Sequence, residues 1–381
     1  MTMAARSESS RSRGIALYLP SLGGGGAERA MVMLANGFAA RDLRVDLVLA
    51  SAEGPYLGEV AADVRVVDLA ARGVATSLPG LVRYLRRERP HAMLSALNHA
   101  NVIAVMARLL ARTSTRLVVS ERNDVSRLSI QAGSLRTRCI LPLMRWSYPK
   151  ADAVTTVSGG VADDLARAIS LPRSRIDVIY NPVVTPAMLV RANAPVDHPW
   201  IGPDQPPLVL AVGRLTPQKD FQTLIRAFAR VRMQRECRLV ILGEGELRES
   251  LQCLVHRLGL EESVQMPGFS ENPFAWMRQA SVFVLSSAWE GLPNVLIQAM
   301  ACGARVVSTD CPSGPREILE GGKWGPLVPV GDIDALASAT LAQFDRPSQN
   351  NAEQRSAFFS VDNAVEGYLR ILNADSMRHG Q

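Results

Sequence analysis

Short unbroken apolar runs, each followed by a segment long enough for a helix, recur along the whole chain. That rhythm restricts the fold more than any single motif does. In the first half the runs are "GIALYLP", "RVDLVLA", "VRVVDL", "HAMLSAL", "TRLVVS", "AVTTVS" and "IDVIYNP". Helical patterns over residues 27–40, 78–89 and 100–111 separate some of them. A strand that is apolar on both sides must be covered on both faces, and helical crossovers do this in a parallel sheet. The proline-rich stretch "TPAMLVRANAPVDHPWIGPDQPP" has no sustained period and reads as a linker over residues 185–207. The rhythm then restarts with "PLVLAVGRL", "RLVILGEG", "SVQMPGF", "SVFVLSS", "ARVVSTD" and "GPLVPV". The expectation is an α/β chain of two doubly wound domains, over residues 14–184 and 208–346. A flexible tail over 1–13 precedes them, and a helical segment over 347–381 follows and packs back on the first domain. A chain of 381 residues can give each domain its own core.

Ligands of such sheets sit outside the carboxyl ends of the strands, so the loops after strands are where chemistry is sought. With two domains, the natural site is the cleft between them. "SLGGGGAERAMVML" follows the first strand; Gly24, Gly25 and Gly26 allow a tight turn and close backbone approach to a ligand. A dinucleotide fingerprint is disfavoured, because Arg29 stands at the third glycine position and no acid ends the second strand. The run either contacts an anion or sugar, or serves the turn alone.

"VGRLTPQKDF" opens the second domain with Gly213, Arg214 and Lys219 around a turn. Two cations at a strand's end suit a diphosphate, Arg as a planar fork and Lys as a point charge. The plain alternative is a surface pair at a helix start, where cations oppose the dipole. "LGEGELRESL" places Gly243, Glu244 and Gly245 at the next strand end, a weak signal because turns use such triplets freely. Phe269 in "MPGFS" either stacks a nucleobase or belongs to the core. In "SSAWEGLPNVLIQAMACG" a carboxylate, Glu290, stands between a buried strand and a helix that begins near Pro293 or Asn294. A carboxylate buried there is costly without a partner. A polyhydroxylated ligand would supply one, with the amides of Gly291, Leu292, Pro293's neighbour Asn294 and Val295 near a phosphate. Gln298 lies one turn into the helix, on the face of Asn294.

Taken together, "VGRLTPQKDF", "LGEGELRESL", "EGLPNVLIQAMACGARVVSTDCPSGPREIL" and "GPLVPVGD" resemble the retaining nucleotide-sugar glycosyltransferases of glycosyltransferase family four. The resemblance covers the second domain and the Gly-rich start of the first. It implies the GT-B fold, two Rossmann-like domains facing across a cleft. It also implies that Glu290 holds the donor hexose, that Arg214 and Lys219 neutralise the leaving diphosphate, and that catalysis is electrostatic. The family's E-x7-E is here Glu290 with Gln298, and an amide bonds ribose hydroxyls less strongly than a carboxylate. Where many members place a histidine after a first-domain strand, "LVVSERND" holds Arg122, which cannot act as a general base. His99 in "ALNHAN" is the nearest alternative, as a site residue or a structural one. No metal or other cofactor is implied, the nucleotide sugar being a substrate. Asp332 and Asp334 read as the cap and first turn of a helix.

Charge adds an expectation about the acceptor. Residues 1–150 hold 21 Lys+Arg against 11 Asp+Glu, and the remainder 21 against 25, so a net +10 meets a net −4. Between residues 105 and 150 there are nine cations and two acids, interleaved with leucine and Trp146. This suits peripheral contact with an anionic membrane surface and a glycan or polyprenyl-diphosphate-linked acceptor. Nucleic acid is disfavoured, for no reading motif accompanies the charge. Five cysteines without a C-x-x-C pair fit a reducing compartment. The first apolar run is too short for a signal segment, and no stretch is apolar enough to span a membrane. The expected location is cytoplasmic, on the inner face of the cell membrane. The function that the resemblance implies is transfer of a hexose or N-acetylhexosamine, from a UDP-sugar in preference. The alternatives are a catalytically inactive scaffold of the same type and a sugar-nucleotide epimerase on the same fold.

Overall fold

The computed structural model describes residues 14–126, 135–346 and 351–373. The tail over 1–13, part of the basic stretch, and parts of the 347–381 segment lie outside the described residues. The chain divides into two compact units, one holding the described residues up to Pro182 together with 361–373, the other Val183–Ser360.

The first unit has a seven-stranded sheet. Its strands are β1 (Ile15–Leu19), β2 (Val45–Leu49), β3 (Val64–Asp68), β4 (Ala92–Ala96), β5 (Arg116–Glu121), β6 (Ala153–Thr156) and β7 (Ile176–Val178). They pair in the order β3-β2-β1-β4-β5-β6-β7, every pair parallel. The period of two along each strand divides the core. Tyr18, Val48, Met93, Leu117 and Val119 face the layer of helices Leu78–Glu88, Asn98–Ala111, Leu135–Ser147 and Gly159–Ile169. Leu17, Leu47, Leu94 and Val118 face helices Gly26–Ala39 and Val361–Leu372. Both faces are covered, so β1, β2 and β4 are buried throughout, as unbroken apolar runs require, while the edge strand β3 is largely exposed. The last helix seats closely on the first, since a Cβ on Gly37 would stand 2.6 Å from Val365 Cγ2.

The second unit repeats the plan with six strands. These are β8 (Leu208–Val212), β9 (Arg238–Leu242), β10 (Val264–Gly268), β11 (Val282–Leu285), β12 (Val306–Thr309) and β13 (Leu327–Val328). Their order is β10-β9-β8-β11-β12-β13, all parallel. Helices Phe221–Arg232, Arg248–Arg257 and Ile333–Phe344 cover one face, around Val209, Leu239, Val282 and Val307. All thirteen apolar runs singled out in the sequence are strands. Two details differ from the expected organisation. Within the proline-rich stretch, residues Pro186–Ala192 form a helix, because Thr185 caps it through Met188 N at 3.0 Å and Pro186 suits its first turn. The C-terminal segment also splits: helix Asn351–Ala357 belongs to the second unit and helix Val361–Leu372 to the first.

Candidate active site

In each sheet the chain leaves one central strand towards one edge and its neighbour towards the other. The loops after those two strands therefore part and open a crevice at the carboxyl ends. In the second unit the switch lies between β8 and β11. The exit of β8 carries Gly213, Arg214 and Lys219; the exit of β11 carries Ser286 to Pro293. Topology alone brings the two motifs together.

Side-chain contacts then join them. Lys219 Nζ donates to Glu290 Oε1 at 2.5 Å, and Ser287 Oγ donates to the same oxygen at 2.6 Å. Gln218 Nε2 reaches Glu290 Oε2 at 3.4 Å and the Trp289 carbonyl at 3.1 Å. Glu290 is 6 % exposed and the Lys219 side chain 15 %. Two hydroxyls hold the loop backbone: Ser286 Oγ donates to the Lys219 carbonyl at 2.7 Å and Thr309 Oγ1 to the Ser287 carbonyl at 2.6 Å. Lys219 is aimed back at the strand end because the chain reverses at Asp220 (φ +44°), whose carboxylate caps the next helix through Thr223. Gly213 leaves room for the lysine stem, since a Cβ there would stand 3.0 Å from Lys219 Cε.

The carboxylate is unevenly loaded. A carboxylate accepts about four hydrogen bonds. Oε1 takes two short ones and Oε2 a single long one, so the remaining acceptor capacity lies on Oε2 and suits a hydroxyl donor. Gly291, Leu292 and Pro293 are buried beside it. Gly314, at φ +98°, lets the "CPSGP" turn press on them, for a Cβ there would stand 2.5 Å from Pro293 Cδ. Helix Asn294–Ala301 starts at this point with no side-chain cap and no acid in its first turn. Its positive end favours an anion. Gln298 is half-buried on that helix, and its side chain has no protein partner among the described residues. The Arg214 side chain is exposed and likewise has none there.

Other sequence candidates have different surroundings. Gly243 (φ +140°) and Gly245 shape backbone: a Cβ on either would come within 2.4 Å of the Gly213 or Leu215 carbonyl oxygen. The Glu244 carboxylate is engaged by Arg248 at 2.6 Å, and Arg248 also donates to the Met266 carbonyl. Phe269 is 78 % exposed, so it is not a core residue. Asp332 caps its helix through Ala335 N at 2.9 Å, and Asp334 pairs with Arg230. Ser287, Gln218 and Thr309 were not singled out from the sequence. Serine and glutamine beside a motif give a weak signal, and their role depends on folding two loops together.

In the first unit the switch lies between β1 and β4, and the exits carry the glycine run and His99. Gly24 has φ +98° and its carbonyl accepts from Tyr56 Oη at 3.2 Å; Gly25 occupies the cap position of helix Gly26–Ala39. A Cβ on Gly25 would stand 2.3 Å from Glu28 Oε2, so the first-turn carboxylate already lies over the turn. That negative charge favours a hydroxyl-bearing ligand over a phosphate. His99 Nδ1 is 3.0 Å from Asn98 Oδ1, which also accepts from the His99 backbone N at 2.6 Å. A carbonyl oxygen only accepts, so this contact places the proton on Nδ1.

Arg122 follows β5 and is buried. Its guanidinium donates to Asn181 Oδ1 at 2.7 Å and Tyr368 Oη at 3.3 Å, while its backbone N donates to Glu121 Oε1 at 3.1 Å. Glu121 is 1 % exposed and accepts from Tyr148 Oη at 2.9 Å. Burial pushes its pKa up to about 7, against the lowering effect of that hydroxyl and of the Arg122 and Asn123 amides.

Residues 24–185 match Glycosyltransferase Family 4, and residues 206–345 match Glycosyl transferases group 1. A Campylobacter jejuni protein named N-acetylgalactosamine-N,N'-diacetylbacillosaminyl-diphospho-undecaprenol 4-alpha-N-acetylgalactosaminyltransferase is 32% identical over 283 residues, 72% of this chain and 74% of its own. The lipopolysaccharide core biosynthesis glycosyltransferase LpsE of Rhizobium meliloti is 27% identical, over 91% of this chain and 96% of its own. The crystal structure of Anabaena HepE in complex with UDP and glucose superposes with a TM-score of 0.76 at 21% identity, covering 95% of this chain and 100% of that one. That likeness shows the fold, GT-B with its two Rossmann-like domains. The chain belongs to glycosyltransferase family 4, within the group 1 glycosyl transferases.

Proposed function

We propose that this glycosyltransferase moves a hexose or N-acetylhexosamine from a nucleotide sugar, a UDP-sugar in preference, to a glycan or polyprenyl-diphosphate-linked glycan. The transfer retains the anomeric configuration, needs no metal, and takes place on the cytoplasmic side of the membrane. The observation that carries the reading is the Lys219–Glu290 pair at the β8–β11 switch, with open acceptor capacity on Glu290 Oε2. The Campylobacter relative's name, with its diphospho-undecaprenol acceptor, and the UDP and glucose held by HepE supply the substrate classes.

Glu290 accepts hydrogen bonds from donor-sugar hydroxyls. Arg214 and Lys219 face the diphosphate, and the helix starting at Asn294 adds its positive end. The incoming diphosphate offers Lys219 a second anion, so its pairing with Glu290 becomes a bridge between sugar and phosphate sites. The bond from the anomeric carbon to phosphate oxygen breaks, and the nucleoside diphosphate leaves with the electron pair. The acceptor oxygen bonds to the same face of that carbon, and its proton passes to the departing phosphate oxygen. Preorganised cations at the leaving group lower the barrier without reorganising. Gln298 reaches the ribose hydroxyls.

Thermal stabilisation by a panel of nucleotides and nucleotide sugars tests the donor site, with Glu290→Ala and Lys219→Ala as controls. A midpoint rise with a uridine nucleotide that both substitutions abolish is the expected result. No shift with any nucleotide would remove the donor site and favour an inactive scaffold. Product anomeric configuration by NMR, with and without chelator, then tests retention and metal independence.

A further inference from the structure

The first unit carries a surface that this chemistry does not use. Helix Asn98–Ala111 lies between helices Leu78–Glu88 and Leu135–Ser147, in contact with both, on one face of the sheet. Over residues 78–90, 98–112 and 139–150, the exposed side chains are of only two kinds besides proline and Cys139. Seven are cations: Arg83, Arg86, Arg87, Arg89, Arg112, Arg145 and Lys150. Four are large apolar groups: Leu109 and Leu110 at 42 % and 53 % exposure, Leu143 at 42 % and Trp146 at 46 %. No acid is exposed on these segments. Glu88 is mostly covered and shared among Arg44, Arg65 and Arg87.

Helix ends explain part of this pattern. Arg86 donates to the Leu110 carbonyl at 2.9 Å and Arg145 to the Ala168 carbonyl, as basic residues near C-termini do. Capping does not explain two exposed leucines at the end of one helix, or a leucine and a tryptophan exposed on the next. Lys150 lies over the Trp146 ring at 4.3 Å, which puts a cation and an indole in one contact. A shallow groove between Val82, Arg83, Arg86 and Leu110 links the first two helices. Cations without acids, interspersed with leucine and tryptophan, match an anionic bilayer: the charges meet headgroup phosphates while the apolar groups enter the acyl boundary. Nucleic acid would use the cations and leave the leucines unexplained.

We infer that this three-helix face docks on an anionic lipid surface, with Arg83, Arg86, Arg87 and Lys150 on headgroups and Leu110, Leu143 and Trp146 at the acyl boundary. This deepens the lipid-linked acceptor reading above by giving the enzyme its place on the membrane. The test needs no donor, so the two can fail separately. The full chain is floated with vesicles of phosphatidylcholine, alone or mixed with phosphatidylglycerol. Binding is expected only to the mixed vesicles and falls with added salt. Each cation removed weakens it about fivefold, so Arg83→Gln with Arg87→Gln loses roughly 25-fold. Those side chains are exposed, and an unchanged unfolding midpoint confirms the fold. The Trp146 emission shifts to the blue on mixed vesicles, and the shift vanishes in Trp146→Phe. No flotation of the wild type, full flotation of the double variant, or an unshifted Trp146 would each overturn the inference. So would binding to duplex DNA at salt where vesicles are ignored.

Discussion

The two sheets place a carboxylate at nearly the same point, the carboxyl end of a strand beside or at the switch, and treat it in opposite ways. Glu121, ending β5, is sealed by Tyr148 and two backbone amides, and its neighbour Arg122 is tied to Asn181 and Tyr368. Glu290, beyond β11, has one saturated oxygen and one that is not, and its cation partner stands on a loop from a different strand. A buried polar network whose members mainly bond one another helps to specify a fold. A partly loaded pair at a crevice has acceptor capacity that the proposed donor sugar would fill. Position in the topology is shared; the open acceptor capacity on Oε2 is what sets Glu290 apart.

The contrast breaks first at Glu290. Glu290→Gln is expected to lower kcat/KM by about 10²–10³, with a circular dichroism spectrum like the wild type. Turnover retained to within a few-fold would move the chemistry elsewhere. In the first unit the expected effects are on stability. The folded state holds the Glu121 proton up to about pH 7, while the unfolded chain releases it near 4.5. Between these values the native state binds more protons, so Glu121's contribution is fully present below about 4.5 and is lost as pH rises through 7. Denaturant titrations across that window should show Glu121→Gln flattening the fall, by on the order of 3 kcal/mol at most. An identical slope in the variant would put its carboxylate in water.

Arg122→Met should cost about 2 kcal/mol through the lost bonds to Asn181 and Tyr368, with the rate per folded molecule kept. A stable variant with lost turnover would make Arg122 a catalytic group and erase the contrast. The smallest effect is expected at Gln298. Because a charged acceptor bonds a hydroxyl more strongly, Gln298→Glu should tighten UDP by about 1 kcal/mol. Calorimetric titration reads this directly, and unchanged or weaker affinity would take Gln298 out of the ribose site.

The strands, their parallel pairing and the loops at the strand exits were legible in the sequence because each is a local signal. An apolar run of strand length demands two covered faces wherever it sits. "EGLPN" after such a run marks a carboxylate at a helix start, and "GRLTPQK" marks cations at another strand end. Ser287, Gln218 and Thr309 gave no comparable signal, since a hydroxyl or amide has a role only once a second loop arrives.

Tertiary structure alone decided which candidates are engaged and which are open. Arg122 in "SERND" looked available beside a strand end. Its partners are Asn181, 59 residues on, and Tyr368, 246 residues on, and no local pattern announces either. Phe269 was balanced between ligand and core until its ring proved exposed. Glu244, a weak signal in the sequence, is engaged by Arg248. Periodicity and turn chemistry are properties of neighbours along the chain, so the sequence determined the elements and the exits. Burial and pairing are properties of neighbours in space, and only folding settles which carboxylate is closed and which is left to bind.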